Sequence, residues 1–295
     1  MNNLSIKIKK LHFNTVFQAI MWGYNELKIA KIANCKKEVQ LLLAYVMQSS
    51  YLEIITENKV RLDENQIINF INCIFRRTQH EPFAYIVGNK EFMGFKFLVN
   101  KNVLIPRPDT EVIVEKALEL IPDECKEYRC LDMCAGTGCI GISLALMRLN
   151  ILVDAVDVCE KALVVLRSNI KRFKLEKRIR VIQGNLLDSY VIDKKLDLIV
   201  ANPPYVSEND YLDLHPEVRN HEPKKALVAH ESDSLFCHKT LLKNASDYLC
   251  DSGKLIFEFG FGQEIKLAEM SNKNFKEPIF FKDYTDVIRG CIFKK

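Results

Sequence analysis

The chain predicts an α/β fold, a mostly parallel sheet covered by helices on both faces, with a small N-terminal helical bundle and a β-hairpin linker ahead of it. Three observations carry this. From residue 128 on, short apolar runs alternate with segments of helical period. Before residue 80 the helical period stands alone, and Pro and Gly are nearly absent. Between the two lies a short aromatic and β-branched stretch interrupted by glycines.

Taken in order, Thr15–Ala33 and Lys36–Met47 place apolar residues three and four apart, as in Val39, Leu42, Leu43 and Val46, and Glu64–Phe75 repeats the pattern. Residues 1–80 are therefore a helical domain without a catalytic constellation, suited to gripping a partner. Pro82–Gly88 and Phe92–Val99 read as the two strands of a hairpin, so 81–103 is a linker. Within 104–295 an amphipathic helix spans Val112–Leu120, with Thr110 as its cap. Strands follow at 128–133, 151–157, 179–184, 196–201, 254–259, 277–282 and 288–293, and helices at 140–148, 160–173, 235–249 and 262–270. Residues 206–233 form a long polar loop, a length that in a compact domain usually serves function.

Composition bounds the partners. At 295 residues the chain holds about two domains, and 48% hydrophobic with 27% charged residues is ordinary for a globular protein. No run approaches the ~18 apolar residues of a membrane span, and Met1–Lys10 has no apolar signal core, so no membrane and a cytoplasmic location are expected. The ten cysteines make no Cys-x-x-Cys pair, and Cys130, Cys134 and Cys139 have no histidine pair beside them, so reduced thiols and no metal are expected. The six histidines show no ligand spacing either. Residues 1–80 carry 11 Lys/Arg against 6 Asp/Glu on a chain of net charge +4, so the basic surplus lies in the helical domain. Such a surface suits an acidic protein or RNA, or is simply a solvated face.

The chemistry gathers at two strand ends. Leu196–Ala201 runs into Asn202-Pro203-Pro204-Tyr205, where two prolines fix φ and remove two donors, leaving a stiff loop with free carbonyls. Strand ends of an open α/β sheet are where ligands bind. The first strand ends at Asp132 and turns through Cys134-Ala135-Gly136-Thr137-Gly138 into a helix. Glycines there let a ligand approach the backbone beside a helix N-terminus. Gly136-x-Gly138-x-x-Gly141 spells a dinucleotide fingerprint, and Asp157 ends the second strand, placed to accept from ribose hydroxyls. A nicotinamide dehydrogenase is thus a rival. Asp132, at the mouth of the turn, suits an ammonium group better than a pyrophosphate, and Asn-Pro-Pro-Tyr has no role in hydride transfer. S-adenosyl-L-methionine satisfies both.

An amide or exocyclic nitrogen is a poor nucleophile, because its lone pair is delocalised. Two acceptors, the Asn202 side-chain oxygen and the Pro203 carbonyl, can hold an NH₂ group so that its lone pair faces a methyl donor, with Tyr205 walling the planar group in place. Orientation and acceptors matched to developing positive charge then supply the catalysis, with no metal and no covalent intermediate.

Asn202–Tyr205 resembles the N-methyltransferases of planar NH₂ groups. Arg76-Arg77, Glu81–Gly88, Glu91-Phe92, Leu104-Ile-Pro-Arg-Pro-Asp-Thr-Glu111, Leu131–Cys139, Ala155–Asp157 and Glu222–Val228 narrow the resemblance, over essentially the whole chain, to the peptide chain release factor glutamine methyltransferases (the PrmC/HemK family). The resemblance implies a seven-stranded Rossmann-like class I methyltransferase domain whose last strands are antiparallel. It implies methylation of the glutamine amide nitrogen in the Gly-Gly-Gln motif of release factors. It places the cofactor against 134–138, Asp157, Asn185, Leu186 and Asn202, and the glutamine in Asn202, Pro203, Pro204 and Tyr205. Arg107, Asp109 and Glu111 fall near the rim. Cys134 stands where many methyltransferases have glycine, which is tolerable at negative φ, and Asn185-Leu186 replaces an acidic residue and an aromatic. A ribosomal-protein glutamine and adenine N6 of nucleic acid remain the alternative substrates. Sequence-specific nucleic-acid binding is not expected, and a monomer is.

Overall fold

The computed structural model describes residues 13–57, 59–188, 190–229, 233–270 and 273–295. Met1–Lys10, read above for a signal core, and part of the long loop (230–232) lie outside them. The chain divides into two compact units, one of residues up to Gly88 with Pro216–His221, the other of Asn89–His215 with Glu222–Lys295.

The first unit is helical: α1 (Val16–Ile29), α2 (Cys35–Met47), α3 (Tyr51–Thr56), α4 (Glu64–Thr78) and α5 (Phe83–Val87). Ser50 with Glu53 and Asp63 with Gln66 close capping boxes that start α3 and α4. Leu27, Leu42, Leu43, Phe70 and Ile74 make the core. A Cβ on Gly23 would come within 3.1 Å of Val39, Phe70 and Ile74, so glycine is what lets α1 lie close to α2 and α4. Arg77 is buried and paired with Glu38 at 2.6 Å and with Glu217 at 2.8 Å, which ties the 216–221 segment to the unit. His221 adds a 2.9 Å bond to the Gln79 carbonyl.

Pro82–Gly88 is not a strand. Pro82 precedes a helical turn and Gly88, at φ +75°, ends it. The hairpin lies just beyond, β1 (Asn89–Phe92) paired with β2 (Phe95–Leu98). Met93 and Gly94 both take positive φ, 52° and 74°, as a type I′ turn requires.

The second unit continues with α6 (Glu111–Glu119), β3 (Tyr128–Met133), α7 (Cys139–Met147), β4 (Ile151–Asp157), α8 (Glu160–Arg172), β5 (Ile179–Gln183) and β6 (Leu196–Ala201). After α9 (Glu208–Asp213) and α10 (Pro216–Arg219, in the helical unit), it closes with α11 (Phe236–Asn244), β7 (Leu249–Glu258), α12 (Glu264–Glu269), β8 (Ile279–Lys282) and β9 (Ile288–Lys294). The seven-stranded sheet has the order β5-β4-β3-β6-β7-β9-β8, and β9 runs antiparallel to both of its neighbours. Strand β7 starts earlier than its apolar run predicts, with exposed Asp251 and Ser252 in its first half. Two apolar layers sandwich the sheet: Leu198 and Val200 of β6 face one with α6–α8, Ile199 and Ala201 the other with α11 and α12. The 206–233 loop is not structureless, since α9, α10 and a 3₁₀ turn at Lys224–Ala226 lie within it. Among the described residues no helix is long and apolar enough to cross a membrane, and no group of three or more His, Cys, Asp or Glu gathers as metal ligands.

Candidate active site

Strand order reverses between β3 and β6, which pair in parallel from Cys130–Leu198 to Met133–Ala201. A crevice therefore opens at their carboxyl ends. A cavity of about 330 Å³ occupies it. Cys134 and Gly136 after β3, Asp157 and Cys159 after β4, Asn185 and Leu186 after β5, and Asn202 and Pro204 after β6 line it. Val103, Leu104 and Val156 add apolar wall. Residues that are up to 70 positions apart in the chain thus meet because each follows a neighbouring parallel strand.

The turn from β3 into α7 is tied to the sheet by Ala135 N–H donating to the Val156 carbonyl at 3.0 Å. Gly136 and Gly138 take φ of +54° and +78°. Cys134 also has positive φ, +62°, so the negative φ at which a non-glycine would sit there without strain is not met. The reversal needs a left-handed residue there whatever its side chain, at a cost of about 1–2 kcal/mol for a non-glycine. Burial pushes its thiol well above the ordinary range. A Cβ on Gly138 would run into Leu166 and Ile142, so that glycine serves packing. Ala135, Thr137 and Gly138 do not line the cavity. Thr137 is held through its carbonyl by Asn169 of α8, which also bonds both backbone groups of Leu98 in the hairpin.

Asp157 is half-buried. Its Oδ2 accepts from Gly136 N–H and its Oδ1 from Cys159 N–H, both at 2.8 Å. Each oxygen keeps a second lone pair for a ligand hydroxyl. Burial raises its pKa, opposed by these backbone bonds. Asp132 is not at the mouth of the turn. It is 1% exposed, beneath the loop, and its Oδ2 accepts from Gly141 N–H at 2.8 Å. Gly141 must be glycine because a Cβ would press on this carboxylate at 2.8 Å. The other oxygen, Oδ1, is buried without a partner among the described residues. Burial lifts this carboxyl to about 7. Asn185 is exposed, its Nδ2 3.4 Å from Asp188. An unsatisfied buried carboxylate oxygen under the loop, a half-buried carboxylate on the wall and an apolar flank fit a cationic, ribose-bearing, planar ligand. S-adenosyl-L-methionine has those three parts.

Asn202 presents its carboxamide with Nδ2 donating to Thr110 Oγ1 at 3.2 Å. Among the described residues no donor engages Oδ1. Thr110 does not cap α6 with its side chain as expected; its hydroxyl instead donates to Glu258 Oε2 at 2.5 Å. The Tyr205 hydroxyl donates to the other Glu258 oxygen at 3.0 Å. The Tyr205 carbonyl accepts from Gln263 Nε2 at 3.0 Å, so both ends of this residue are held. Burial takes the Tyr205 phenol far above its usual range, and the Glu258 charge adds to that. Pro203 is buried, and neither it nor Tyr205 lines the cavity.

Glu258, Thr110 and Gln263 were not singled out as site residues. The available signal was an acidic residue inside the apolar run Leu255-Ile-Phe-Glu-Phe259, at the carboxyl end of a strand. The 104–111 segment is anchored residue by residue. Arg107 pairs with Glu222 at 2.5 Å, Asp109 lies 3.9 Å from Arg289, and Glu111 accepts from Met93 N–H at 2.7 Å.

Residues 18–88 match the family described as PrmC N-terminal domain, and residues 111–218 match the methyltransferase small domain. The chain is 34% identical over 263 residues to the release factor glutamine methyltransferase of Clostridium botulinum, covering 88% of this chain and 92% of the relative. It is 36% identical over 251 residues to the bifunctional methyltransferase of Rickettsia prowazekii, covering 79% of this chain but only 48% of that longer protein. Among solved structures, the hMettl16 catalytic domain in complex with MAT2A 3′UTR hairpin 6 aligns with a TM-score of 0.53 at 14% identity, over 80% of this chain and 84% of that one, a likeness of fold.

Proposed function

The chain belongs to the release factor glutamine methyltransferases, and on that footing we propose that it methylates the side-chain amide nitrogen of the glutamine in the Gly-Gly-Gln motif of peptide chain release factors. S-adenosyl-L-methionine is the methyl donor and N5-methylglutamine the product. The single observation that carries this reading is the orientation of Asn202. Its Nδ2 is engaged by Thr110, which leaves Oδ1 as the end that can accept from a substrate NH₂ group.

Asp157 would hold the ribose hydroxyls, the backbone of Cys134–Gly138 the amino acid end, and Asn185 with Leu186 the adenine. When bound, S-adenosyl-L-methionine supplies an electrophilic sulfonium methyl. Asn202 Oδ1 and the Pro203 carbonyl then accept the two N–H bonds of the glutamine amide. With both protons fixed, the nitrogen lone pair has one direction left to face. As the N–C bond forms at the expense of the methyl's C–S bond and positive charge develops on nitrogen, both acceptors would bind more strongly, so the site would favour the transition state over the resting amide. The nitrogen would then lose one N–H proton to solvent to give the neutral N-methyl amide and a thioether. Tyr205, held at its hydroxyl and its carbonyl, keeps the loop from relaxing. The basic surplus of the helical unit suits a protein substrate, with action as a monomer in the cytoplasm.

The test is mass spectrometry of purified release factors, ribosomal proteins and an adenine-containing oligonucleotide after incubation with the enzyme and S-adenosyl-L-methionine. One methyl group on the Gly-Gly-Gln peptide alone supports the proposal. Methylation of a ribosomal-protein glutamine or of adenine, with the release factors unmodified, overturns it.

A further inference from the structure

The carboxamide of Asn202 has two ends of nearly equal size and opposite hydrogen-bonding character. The reaction proposed above needs the oxygen turned to the substrate. Nothing within Asn-Pro-Pro-Tyr makes that choice. A flipped amide would meet an NH₂ group with another NH₂ group and would repel it.

The choice is made one bond further back. Glu258, at the end of β7, is 1% exposed, and its two oxygens accept from the hydroxyls of Thr110 and Tyr205. An ionised carboxylate has no proton to give. The Thr110 hydroxyl must therefore spend its single proton on Glu258 and can only accept from Asn202. The one partner it can accept from is Nδ2, found at 3.2 Å. Bond direction runs from Asn202 through Thr110 to Glu258.

We propose that Glu258, acting through Thr110, is a positioning residue that fixes which end of the Asn202 carboxamide faces the substrate. The inference rests on the glutamine-methylating reading and deepens it. Neither residue lines the cavity. The arrangement also explains why a carboxylate is kept in an apolar strand end, where it has hydroxyl partners and, among the described residues, no ion pair of its own. Arg289 and Arg107 act on this corner from a distance, and Asp109 opposes them. His238 Nε2 meets the Glu258 backbone carbonyl at 2.8 Å and leaves the carboxylate alone. Burial raises the Glu258 pKa against the pull of its two hydroxyl partners. Once protonated, Glu258 could donate to Thr110, whose own proton would then turn toward Asn202 and favour the flipped amide.

The experiment is steady-state kinetics on a release factor with Thr110→Val, Thr110→Ser, Glu258→Gln and the Val/Gln double variant. Thr110→Val is expected to lower kcat at least ~30-fold, with the cofactor KM within ~2-fold, as for a group acting on orientation and not on cofactor binding. Thr110→Ser, which keeps the hydroxyl, is expected to recover all but ~3-fold of that loss. Glu258→Gln should lower kcat likewise and abolish the acid limb of its pH profile. The double variant should lose less than the product of the two single losses, since both changes act through the Thr110 bond, any excess over Thr110→Val coming from the Tyr205 hydroxyl that Glu258 also holds. A Thr110→Val kcat within ~3-fold of wild type overturns the proposal, and so does a loss that serine fails to recover. If Glu258→Gln does not fold, as melting curves will tell, the two Thr110 variants decide alone. A wild-type enzyme inactive on Gly-Gly-Gln overturns the functional reading and this inference together, whereas an active wild type with an equally active Thr110→Val overturns this inference only.

Discussion

Arg107 and Glu222, 115 positions apart, form an ion pair of 2.5 Å in which the carboxylate is almost wholly enclosed. The second Glu222 oxygen accepts from Ile105 N–H at 3.0 Å. The stretches 104–111 and 222–228, separate signals in the sequence, are therefore one physical unit, the later one clamping the earlier. Arg107→Ala should strand a buried carboxylate. Because Arg107 is itself about a third exposed, the expected loss is about 2 kcal/mol, below the range for a fully enclosed pair. Urea denaturation measures it, and an unchanged midpoint would show that water already satisfies Glu222.

Asn202→Ala removes the proposed acceptor and keeps the loop's prolines. Turnover should fall at least ~100-fold while cofactor affinity stays within a few-fold, the signature of an interaction used in the transition state. Calorimetry for the cofactor, beside single-turnover kinetics, separates the two quantities. Undiminished turnover would remove Asn202 from its role.

Asp157→Ala should act on the opposite quantity. If Asp157 accepts from the ribose hydroxyls as proposed, its loss is expected to weaken S-adenosyl-L-methionine binding by roughly 10–100-fold. Asp157 also receives Gly136 and Cys159 N–H bonds, so Asp157→Asn is the companion variant that keeps an acceptor for the loop. An unaltered dissociation constant in both variants would take the ribose elsewhere.

Asp132 makes a prediction about pH. Its folded carboxyl, near 7, is above the ordinary 3.8, so the folded chain holds a proton that the unfolded chain releases. Its contribution is therefore present in full below about pH 4 and is lost as pH rises toward about 7, by a few kcal/mol. Asp132→Asn keeps an acceptor for Gly141 and has no charge to desolvate. Without cofactor, the variant should gain on wild type between pH 5 and pH 8, read as the difference between their urea midpoints. A constant difference across that range would contradict a raised carboxyl.

The sheet was legible because each strand carries its own short apolar run, and a parallel order follows from the helices between them. Pro82–Gly88 misled because five apolar residues fit a strand or a helical turn equally well. The proline before and the glycine after it, at φ +75°, were the helix signals that should have decided. The loop residues Cys134, Gly136, Asp157 and Asn202 were readable from their places at strand ends. Glu258 and Thr110 were not, since their bond spans 148 positions and each alone passes for an ordinary strand or turn residue. The type and position of Asp132 place it at the mouth of the turn in the sequence, whereas its depth is set by how α7 returns over it.

Pro216–His221 belongs to the helical unit although the chain on both sides of it belongs to the sheet. No single cut therefore separates the two units. A truncated enzyme beginning at Asn89 would still carry six residues of the missing part, with Glu217 deprived of Arg77 and His221 of the Gln79 carbonyl. Those six residues end immediately before Glu222, the carboxylate that clamps Arg107. Loss of activity on deleting the helices would thus confound loss of the docking surface expected there with a loosened clamp, and the fair comparison is the full-length chain altered on the helix surface alone.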